Sequence, residues 1–405
     1  MTASRRLLFL ALFPFACGYF LSYLLRAVNA VVAPELVGEF AIGPAELGLL
    51  TSAYLLTFSA FQLPLGVLLD RYGPRRVQSA LLLVAAAGCL AFALAPGFAG
   101  LFFARALIGL GFSAGLMASY KASSLWVPME RRSLANATIM SMGALGLVVA
   151  TEPTALLSQA IGWRNVFLVF AIIIAAASAF IFLAVPEKEG GSAPSSFTQQ
   201  WRELVAIMKL PLFWRVAPLL GLTAGIPIAY QTLWAGPWFR DVIGLAPLDV
   251  ARNLFWMAVA FMIGIFTIGI VADRLQKRGI GTMSTLVGFL LLHTVAQGLI
   301  VLQVKSLALP AWLALAAVGQ VAILAFPWFA MEVGENLSGR ANATINFAMF
   351  VIAFSAQYGV GLVIGMFPPA ATGYDPRAYV VAFGGLLLLQ VLALIWYLAR
   401  PKETP

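Results

Sequence analysis

Long apolar stretches follow one another along almost the whole of this chain, separated by short polar turns. A helix needs roughly 20 apolar residues to cross a bilayer, and an isolated strand cannot satisfy its backbone hydrogen bonds in lipid. Twelve stretches reach this length. They lie at about 7–34, 45–69, 77–95, 99–122, 134–158, 165–185, 213–236, 250–272, 281–303, 308–331, 342–367 and 377–398. The pattern predicts an all-α membrane protein with 12 transmembrane helices.

The two halves of the chain carry the same short motifs. The segment from Gly66 reads G-V-L-L-D-R-Y-G-P-R-R, and the segment from Gly269 reads G-I-V-A-D-R-L-Q-K-R. The pentapeptide A-N-A-T-I occurs at 135–139 and again at 341–345. The offsets of 203 and 206 residues are half of the 405-residue chain. This repeat predicts two pseudo-symmetric six-helix bundles, an architecture typical of transporters.

A polar stretch at 186–212 separates the two halves. It contains E-K-E-G-G-S-A-P-S-S and then the amphipathic sequence W-R-E-L-V-A-I-M-K. This composition predicts a cytoplasmic linker followed by a helix at the membrane interface. The expected domains are therefore a bundle at 1–185, the linker at 186–212 and a second bundle at 213–405.

Charge is scarce and unevenly placed. Charged residues make up 10% of the chain, whereas a soluble domain carries roughly 25%. The net charge of +9 comes from cations in short turns, without the basic stripe that indicates nucleic-acid binding. With both termini in the cytoplasm, 17 of the 25 Lys and Arg residues fall in inner segments and five in outer ones. This asymmetry predicts a multi-pass protein of the inner (plasma) membrane with cytoplasmic termini.

The motifs resemble those of a known family. The loop sequence G-x-L-x-D-R-x-G-x-R-R, the R-A-L-I-G-L-G stretch from Arg105 and G-W-R-N-V-F at 162–167 are together typical of the major facilitator superfamily. Pro74 departs from the usual loop pattern. The resemblance implies a secondary transporter that works by alternating access. No phosphate-cradling loop or metal-ligand cluster is visible in the sequence, so no cofactor is expected and uphill transport would use an ion gradient.

The repeated loop motif is a candidate gate. Its residues are Gly66, Asp70, Arg71, Gly73, Arg75 and Arg76, with Asp273 and Arg274 in the second half. Gly66 permits a close approach of two helices, and Asp70 is placed to pair with a cation. The resemblance implies that this cluster latches one access state. The alternative is that its charges only orient the chain in the membrane.

Three cations fall inside predicted spans, namely Arg26, Arg105 and Lys121. Each needs a partner or a wet cavity, because a charge at mid-bilayer costs at least about 2.5–3.5 kcal/mol. Arg26 follows a G-Y-x-x-x-Y segment containing Tyr19 and Tyr23, which resembles the organic-phosphate and anion–cation symporter branches of the superfamily. There, such an Arg binds the substrate anion. The alternative is an Arg26 that extends to the outer interface.

The remaining candidate ligands are grouped around this Arg. Lys121 is expected to share one central cavity with Arg26, since it lies too far from the inner headgroups to reach them. Span 7 lacks the Arg that organic-phosphate exchangers place there, which favours a monocarboxylate or another small anion. The expected substrate-binding residues are Arg26, Lys121, Tyr19, Tyr23, Asn29, Tyr230, Gln231 and Trp234.

Glu152 is the acid placed deepest within an apolar run, and it is the candidate proton carrier together with Arg105. The alternatives are a solvated Glu152 or a structural ion pair, and a purely structural Arg105. Trp234, Trp238, Trp312 and Trp328 are expected to be mainly interfacial anchors, apart from a cavity position for some.

The leading hypothesis is proton-coupled uptake of a small organic anion. The expected partners are this substrate, the lipid bilayer and a proton or other coupling ion, with no nucleic acid, and a monomer is expected. The alternatives are a proton-driven exporter of amphiphilic compounds and a substrate sensor that does not transport. An enzyme is not expected, because the acids and the one histidine are scattered along the chain.

Overall fold

The structure is a computed structural model that describes residues 3–186, 197–334, 337–370 and 373–399. The secondary structure of these residues is helical, without a strand among them. The chain divides into two compact units. Unit 1 comprises Met1–Ile42 and Ala53–Gln199, and unit 2 comprises Gly43–Ser52 and Gln200–Pro405.

Unit 1 is built mainly from the first eight helices. These are α1 (Ala3–Ala27), α2 (Asn29–Phe40), α3 (Pro44–Leu94), α4 (Phe98–Phe112), α5 (Gly115–Trp126), α6 (Met129–Val149), α7 (Glu152–Ile161) and α8 (Trp163–Ala184). Helix α1 packs against α5 and α6. The first residues of α3 belong to unit 2.

Unit 2 contains the remaining helices. After the linker helix α9 (Phe197–Met208) come α10 (Pro211–Ala229), α11 (Ala235–Trp238), α12 (Pro247–Lys277), α13 (Thr282–Val301), α14 (Ala308–Val318), α15 (Ala325–Val333), α16 (Ser338–Gly365) and α17 (Pro376–Ala399). Two π-helical turns, Tyr230–Trp234 and Phe239–Ile243, flank α11. The 3₁₀ turns are Lys305–Leu307 and Val321–Leu324.

The described residues contain nine helical segments that are long and apolar enough to cross a membrane, or eleven if each of two bent pairs is a single span. The pairs are Leu12–Ala27 with Asn29–Phe40, bent by 42°, and Leu134–Val149 with Glu152–Ile161, bent by 46°. Helix α3 covers the second and third predicted spans. Its backbone leaves the helical conformation at Gly73 (φ 75°, ψ 161°), a conformation that glycine adopts readily.

Helices approach closely in unit 2 where a side chain is missing. A Cβ atom added to Gly264 in α12 would collide with the carbonyl group of Ala317 in α14, so only hydrogen fits there. Five residues later in the same helix, Gly269 has no neighbour within 4 Å of such an added Cβ. The close contact between α12 and α14 thus depends on Gly264 and not on Gly269.

A buried aromatic cluster occupies unit 2. The rings of Tyr230, Trp238, Phe239 and Phe383 lie 4.3–6.3 Å apart around Trp312, centroid to centroid. Trp234, Trp238 and Trp312 are fully buried. The expectation that these tryptophans are interfacial anchors is therefore wrong. Their ring area is buried within the unit, where aromatic packing stabilises it.

One carboxylate fastens the end of the seventh predicted span. The Asp241 side chain is fully buried and accepts hydrogen bonds from Arg240 Nε (2.6 Å), the Tyr379 hydroxyl (2.6 Å) and the Tyr374 backbone N–H (3.2 Å). Tyr374 lies in the turn before α17, and burial raises its pKa to about 12, which keeps the phenol neutral beside Asp241. We call this group the Asp241 clasp.

The linker helix α9 is seated on unit 2. Leu204 and Ile207 are buried, and Ile207 joins the hydrophobic core that includes Phe213. Glu203 Oε2 lies 2.9 Å from Arg340 Nε of α16. One face of this amphipathic helix is thus covered by protein, and the opposite face remains exposed.

Candidate functional site in unit 1

Arg26 lies in an aromatic surround inside unit 1. It lies in the last turn of α1, two residues before the bend at Val28, and is only 8% exposed. Its Cζ atom lies 4.6 Å from the ring centroid of Tyr23, 4.9 Å from that of Phe58 and 5.9 Å from that of Tyr54. A cation surrounded by ring faces is attracted to them. The side chain is thus enclosed by aromatic rings within unit 1.

Tyr54 is held in place by hydrogen bonds to α1. Its hydroxyl donates to the Ser22 carbonyl at 3.1 Å and lies 3.3 Å from the Ser22 hydroxyl. One turn later in α3, the Thr57 hydroxyl donates to the Ala106 carbonyl of α4 at 2.7 Å. These bonds tie α3 to α1 on one side and to α4 on the other. They bring Tyr54 between the arginines of α1 and α4.

Arg105 is the second cation of this site. It is fully buried, its Nη2 donates to the Arg26 carbonyl at 3.2 Å, and its Cζ lies 5.2 Å from the Tyr54 ring centroid. Its Nε and Nη1 atoms are buried without a hydrogen-bond partner. A guanidinium group does not deprotonate in a protein. The site therefore holds positive charge and unused donors, which is the chemistry that binds an anion.

Tyr19 lies two turns before Arg26 in α1, Asn29 follows the bend after Arg26, and both are buried. The Tyr19 ring packs edge-on against Tyr23 with centroids 5.1 Å apart, and its hydroxyl lies 3.7 Å from the Met140 sulfur. Asn29 begins α2, directly after the bend. Tyr19 thus supports the position of Tyr23 through ring packing.

Lys121 has a different partner from the one expected. Its Nζ atom lies 2.9 Å from Asp70 Oδ1, with the two side chains 22% and 25% exposed. The prediction placed Lys121 beside Arg26, whereas the structure uses its charge to neutralise Asp70. The physical reason is the cost of two uncompensated charges near lipid, which the pair reduces. The expected cation partner of Asp70 is thus Lys121 of α5.

The other loop cations contact aromatic rings. Arg71 Cζ lies 5.2 Å from the Tyr72 ring centroid, and Arg75 Cζ lies 4.9 Å from that of Phe182. In unit 2, Asp273 and Arg274 are exposed near the end of α12. The two copies of the motif therefore differ, because the acid of the first copy is paired within unit 1.

Glu152 begins α7 at the break between α6 and α7, and it is half-buried. A second acid, Glu35 in α2, was missed because the first span was expected to end at residue 34. Its Oε1 accepts a hydrogen bond from Ser158 of α7 at 3.3 Å, and its Oε2 is buried without a partner. The sequence signal was present, since Glu35 directly follows an apolar run.

The candidates in unit 2 lie on one π-helical turn. Tyr230 is fully buried and its hydroxyl accepts from Gln297 at 3.2 Å, and Trp234 Nε1 donates to the Gln357 carbonyl at 2.9 Å. Gln231 differs, because its Nε2 atom is buried without a hydrogen-bond partner. Of the three, Gln231 has an unused donor.

Family comparison settles the class of the chain. The model of the Major Facilitator Superfamily matches residues 15–357. The chain belongs to this superfamily. It is a multi-pass membrane protein, as the apolar helices of both units indicate.

The names of two relatives state a substrate. The probable sulfoacetate transporter SauU of Cupriavidus necator is 24% identical over 64% of this chain and 64% of its own length. The hexuronate transporter of Escherichia coli strain K12 is 30% identical over 38% of this chain and 35% of its own length. The chain thus spans less than two thirds of the length of these relatives.

The fold of the chain is also similar to that of a solved structure. A crystal structure of a bacterial homologue of the human lysosomal transporter Spinster superposes with a TM-score of 0.75 at 17% identity, covering 98% of this chain and 97% of that one. At this identity the likeness concerns the fold alone.

Proposed function

We propose that this protein is a secondary transporter of a small organic anion. The observation that carries the proposal is the pair of buried arginines, Arg26 and Arg105, joined by a hydrogen bond and sharing the ring of Tyr54. Sulfoacetate and hexuronates, the substrates named for the two relatives, are anions. A carboxylate or sulfonate would use the planar guanidinium donors that the protein leaves unused at Arg105.

Residue roles follow from these positions. Arg26 binds the anionic group, with Tyr19, Tyr23 and Asn29 shaping its surroundings, and Arg105 supplies the second cation. Among the span-7 candidates, Gln231 has a free donor for a polar substrate group, whereas Tyr230 and Trp234 already have partners in unit 2.

We also propose the coupling and topology that the sequence predicts. Twelve spans form two six-helix bundles at 1–185 and 213–405, with Gly73 dividing α3 into two of them. The termini face the cytoplasm of the inner membrane. Uptake is proton-coupled, with Glu152 and Arg105 as the coupling residues. The Asp70–Lys121 pair, with Gly66, Gly73, Arg71, Arg75 and Arg76, latches one access state, and Asp273 and Arg274 act at the equivalent loop.

A thermal-shift screen of the purified protein tests the substrate class. Probes are a hexuronate, sulfoacetate, an organic phosphate, an uncharged sugar and a cationic drug. A ligand at 100 times its Kd stabilises the folded state by about 2.7 kcal/mol, so an anionic carboxylate or sulfonate should raise Tm.

The matched variants are Arg26→Gln and Arg252→Gln. Arg26→Gln should abolish the shift, whereas Arg252→Gln should retain it, because Arg252 is exposed and paired with Asp249. Stabilisation by the cationic drug alone would reject the anion hypothesis and favour an exporter.

A further inference from the structure

Exposed tryptophans and basic residues occur around the point where the linker helix α9 leads into α10. Trp201 (49% exposed), Trp214 (53%) and Trp396 (41%) are among the exposed large side chains, in contrast to the three buried tryptophans of the core. Lys209 lies in the turn between α9 and α10, and Arg215 lies in the second turn of α10. We call Trp201, Lys209, Trp214, Arg215 and Trp396 the linker-face surface.

Part of this surface is held in place by a hydrogen bond to a backbone carbonyl that a proline leaves without its usual helical donor. The carbonyl of Trp214 would normally accept the N–H of residue 218, but Pro218 has none. Trp396 Nε1 of α17 donates to this carbonyl at 3.0 Å instead. The indole is thereby fixed between the start of α10 and the end of α17.

Arg215 is the basic centre of the surface. Its Cζ lies 5.0 Å from the ring centroid of Tyr397, and its Nε is buried without a hydrogen-bond partner. Lys209 and Arg202 are exposed nearby in sequence. The acids of this region are Glu332, which is exposed and close enough to Tyr397 to interact with it electrostatically, and Glu203, which pairs with Arg340. Arg202, Lys209, Arg215 and Arg340 outnumber these two acids, so the surface is positive.

We propose that the linker-face surface binds the headgroup of an anionic phospholipid in the leaflet on the linker side. Tryptophans at the ends of spans sit at headgroup level, and basic side chains beside span ends attract anionic lipid. Arg215 offers fork-like donors to the phosphate, and Lys209 adds a point charge. The tryptophan rings pack beside the glycerol and upper acyl region. A lipid occupant fits because Trp214, Arg215 and Trp396 lie at the ends of membrane-spanning helices, with Lys209 directly before one of them.

The test uses the full chain in a neutral detergent and is independent of any transport substrate. Phosphatidylglycerol or phosphatidylcholine is titrated, and the apparent affinity is obtained from the rise in Tm. The wild type should bind phosphatidylglycerol more tightly. The double variant Lys209→Gln/Arg215→Gln should lose about fivefold in affinity for each cation removed, since one cation near an anionic surface contributes about 1 kcal/mol.

The matched control is Lys277→Gln/Arg278→Gln at the exposed end of α12, which removes the same charge and should keep the wild-type preference. If the double variant does not fold, Lys209→Gln alone should show the fivefold loss, because Lys209 is exposed. Equal affinity of the wild type for the two lipids, an equal loss in the control, or the same rise in Tm with inorganic phosphate would each overturn the proposal.

Discussion

The ring of Tyr54 lies close to two cations, because the Cζ atoms of Arg26 and Arg105 are 5.9 and 5.2 Å from its centroid. Tyr54→Phe keeps the ring and removes only the hydroxyl bonded to Ser22. Tyr54→Leu removes the ring, and with it roughly 1–2 kcal/mol for each desolvated guanidinium. We expect Tyr54→Leu to lower Tm clearly more than Tyr54→Phe in the absence of ligand. Equal losses would show that the hydroxyl, and not the ring, stabilises the site.

The Asp241 clasp allows a second test with single residues. Asp241→Asn removes the charge to which Arg240 and Tyr379 donate, and hydrogen bonds to a charged group contribute about 1.5–3 kcal/mol. The control is Asp249→Asn, because Asp249 is 53% exposed and its ion pair is worth little. Differential scanning fluorimetry should show a large fall in Tm for the first variant and almost none for the second. Similar Tm values would contradict the clasp.

Sequence reasoning at this scale found the cation but not its surroundings. Arg26 is conspicuous because a charge within an apolar run is costly. Tyr54 and Phe58 lie in the next span, where aromatic residues are also typical of lipid-facing or packed positions, so no local signal pairs them with Arg26. Lys121 illustrates the converse. The position of Lys121 within a span was predicted. Its partner Asp70 lies 51 positions earlier in the chain, and sequence spacing alone does not show that two such residues are in contact.

Among the elements, α12 offers the sharpest comparison. Gly264→Ala places a methyl group against the Ala317 carbonyl, and overpacking of this kind costs about 1–3 kcal/mol. Gly269→Ala meets no atom within 4 Å and should leave Tm unchanged or slightly raised, since alanine is the better helix former. Thermal unfolding of the two variants checks this. A lower Tm for Gly269→Ala than for Gly264→Ala would contradict the packing argument.

The positions of the helices agree with the hydrophobic runs of the sequence. The irregularities within the helices could not be predicted from those runs. The breaks after Ala27 and Val149 and the π-helical turns around α11 depend on packing between helices, which apolar periodicity does not encode. The linker helix was predicted from its amphipathic pattern. That its apolar face packs on unit 2 could not be predicted, because a membrane surface and a protein surface favour the same pattern.

For the molecule as a whole, the Asp70–Lys121 pair predicts an effect on turnover. Asp70→Asn should slow transport in proteoliposomes while leaving the ligand-induced Tm shift nearly unchanged, because neither Asp70 nor Lys121 is among the residues that surround Arg26. The reversed pair Asp70→Lys/Lys121→Asp should recover part of the rate, since it restores an ion pair. A loss of affinity without a change in rate would contradict the latch.

The bond between Trp396 and the Trp214 carbonyl also has a consequence for biosynthesis. The two residues lie 182 positions apart, at the beginning and near the end of unit 2. While the chain is being made, the carbonyl left open by Pro218 has no helical partner, and an open carbonyl is costly in lipid. Its partner arrives only with the last helix, α17. Emergence of the final span from the ribosome therefore supplies the partner of a backbone carbonyl in the second turn of α10.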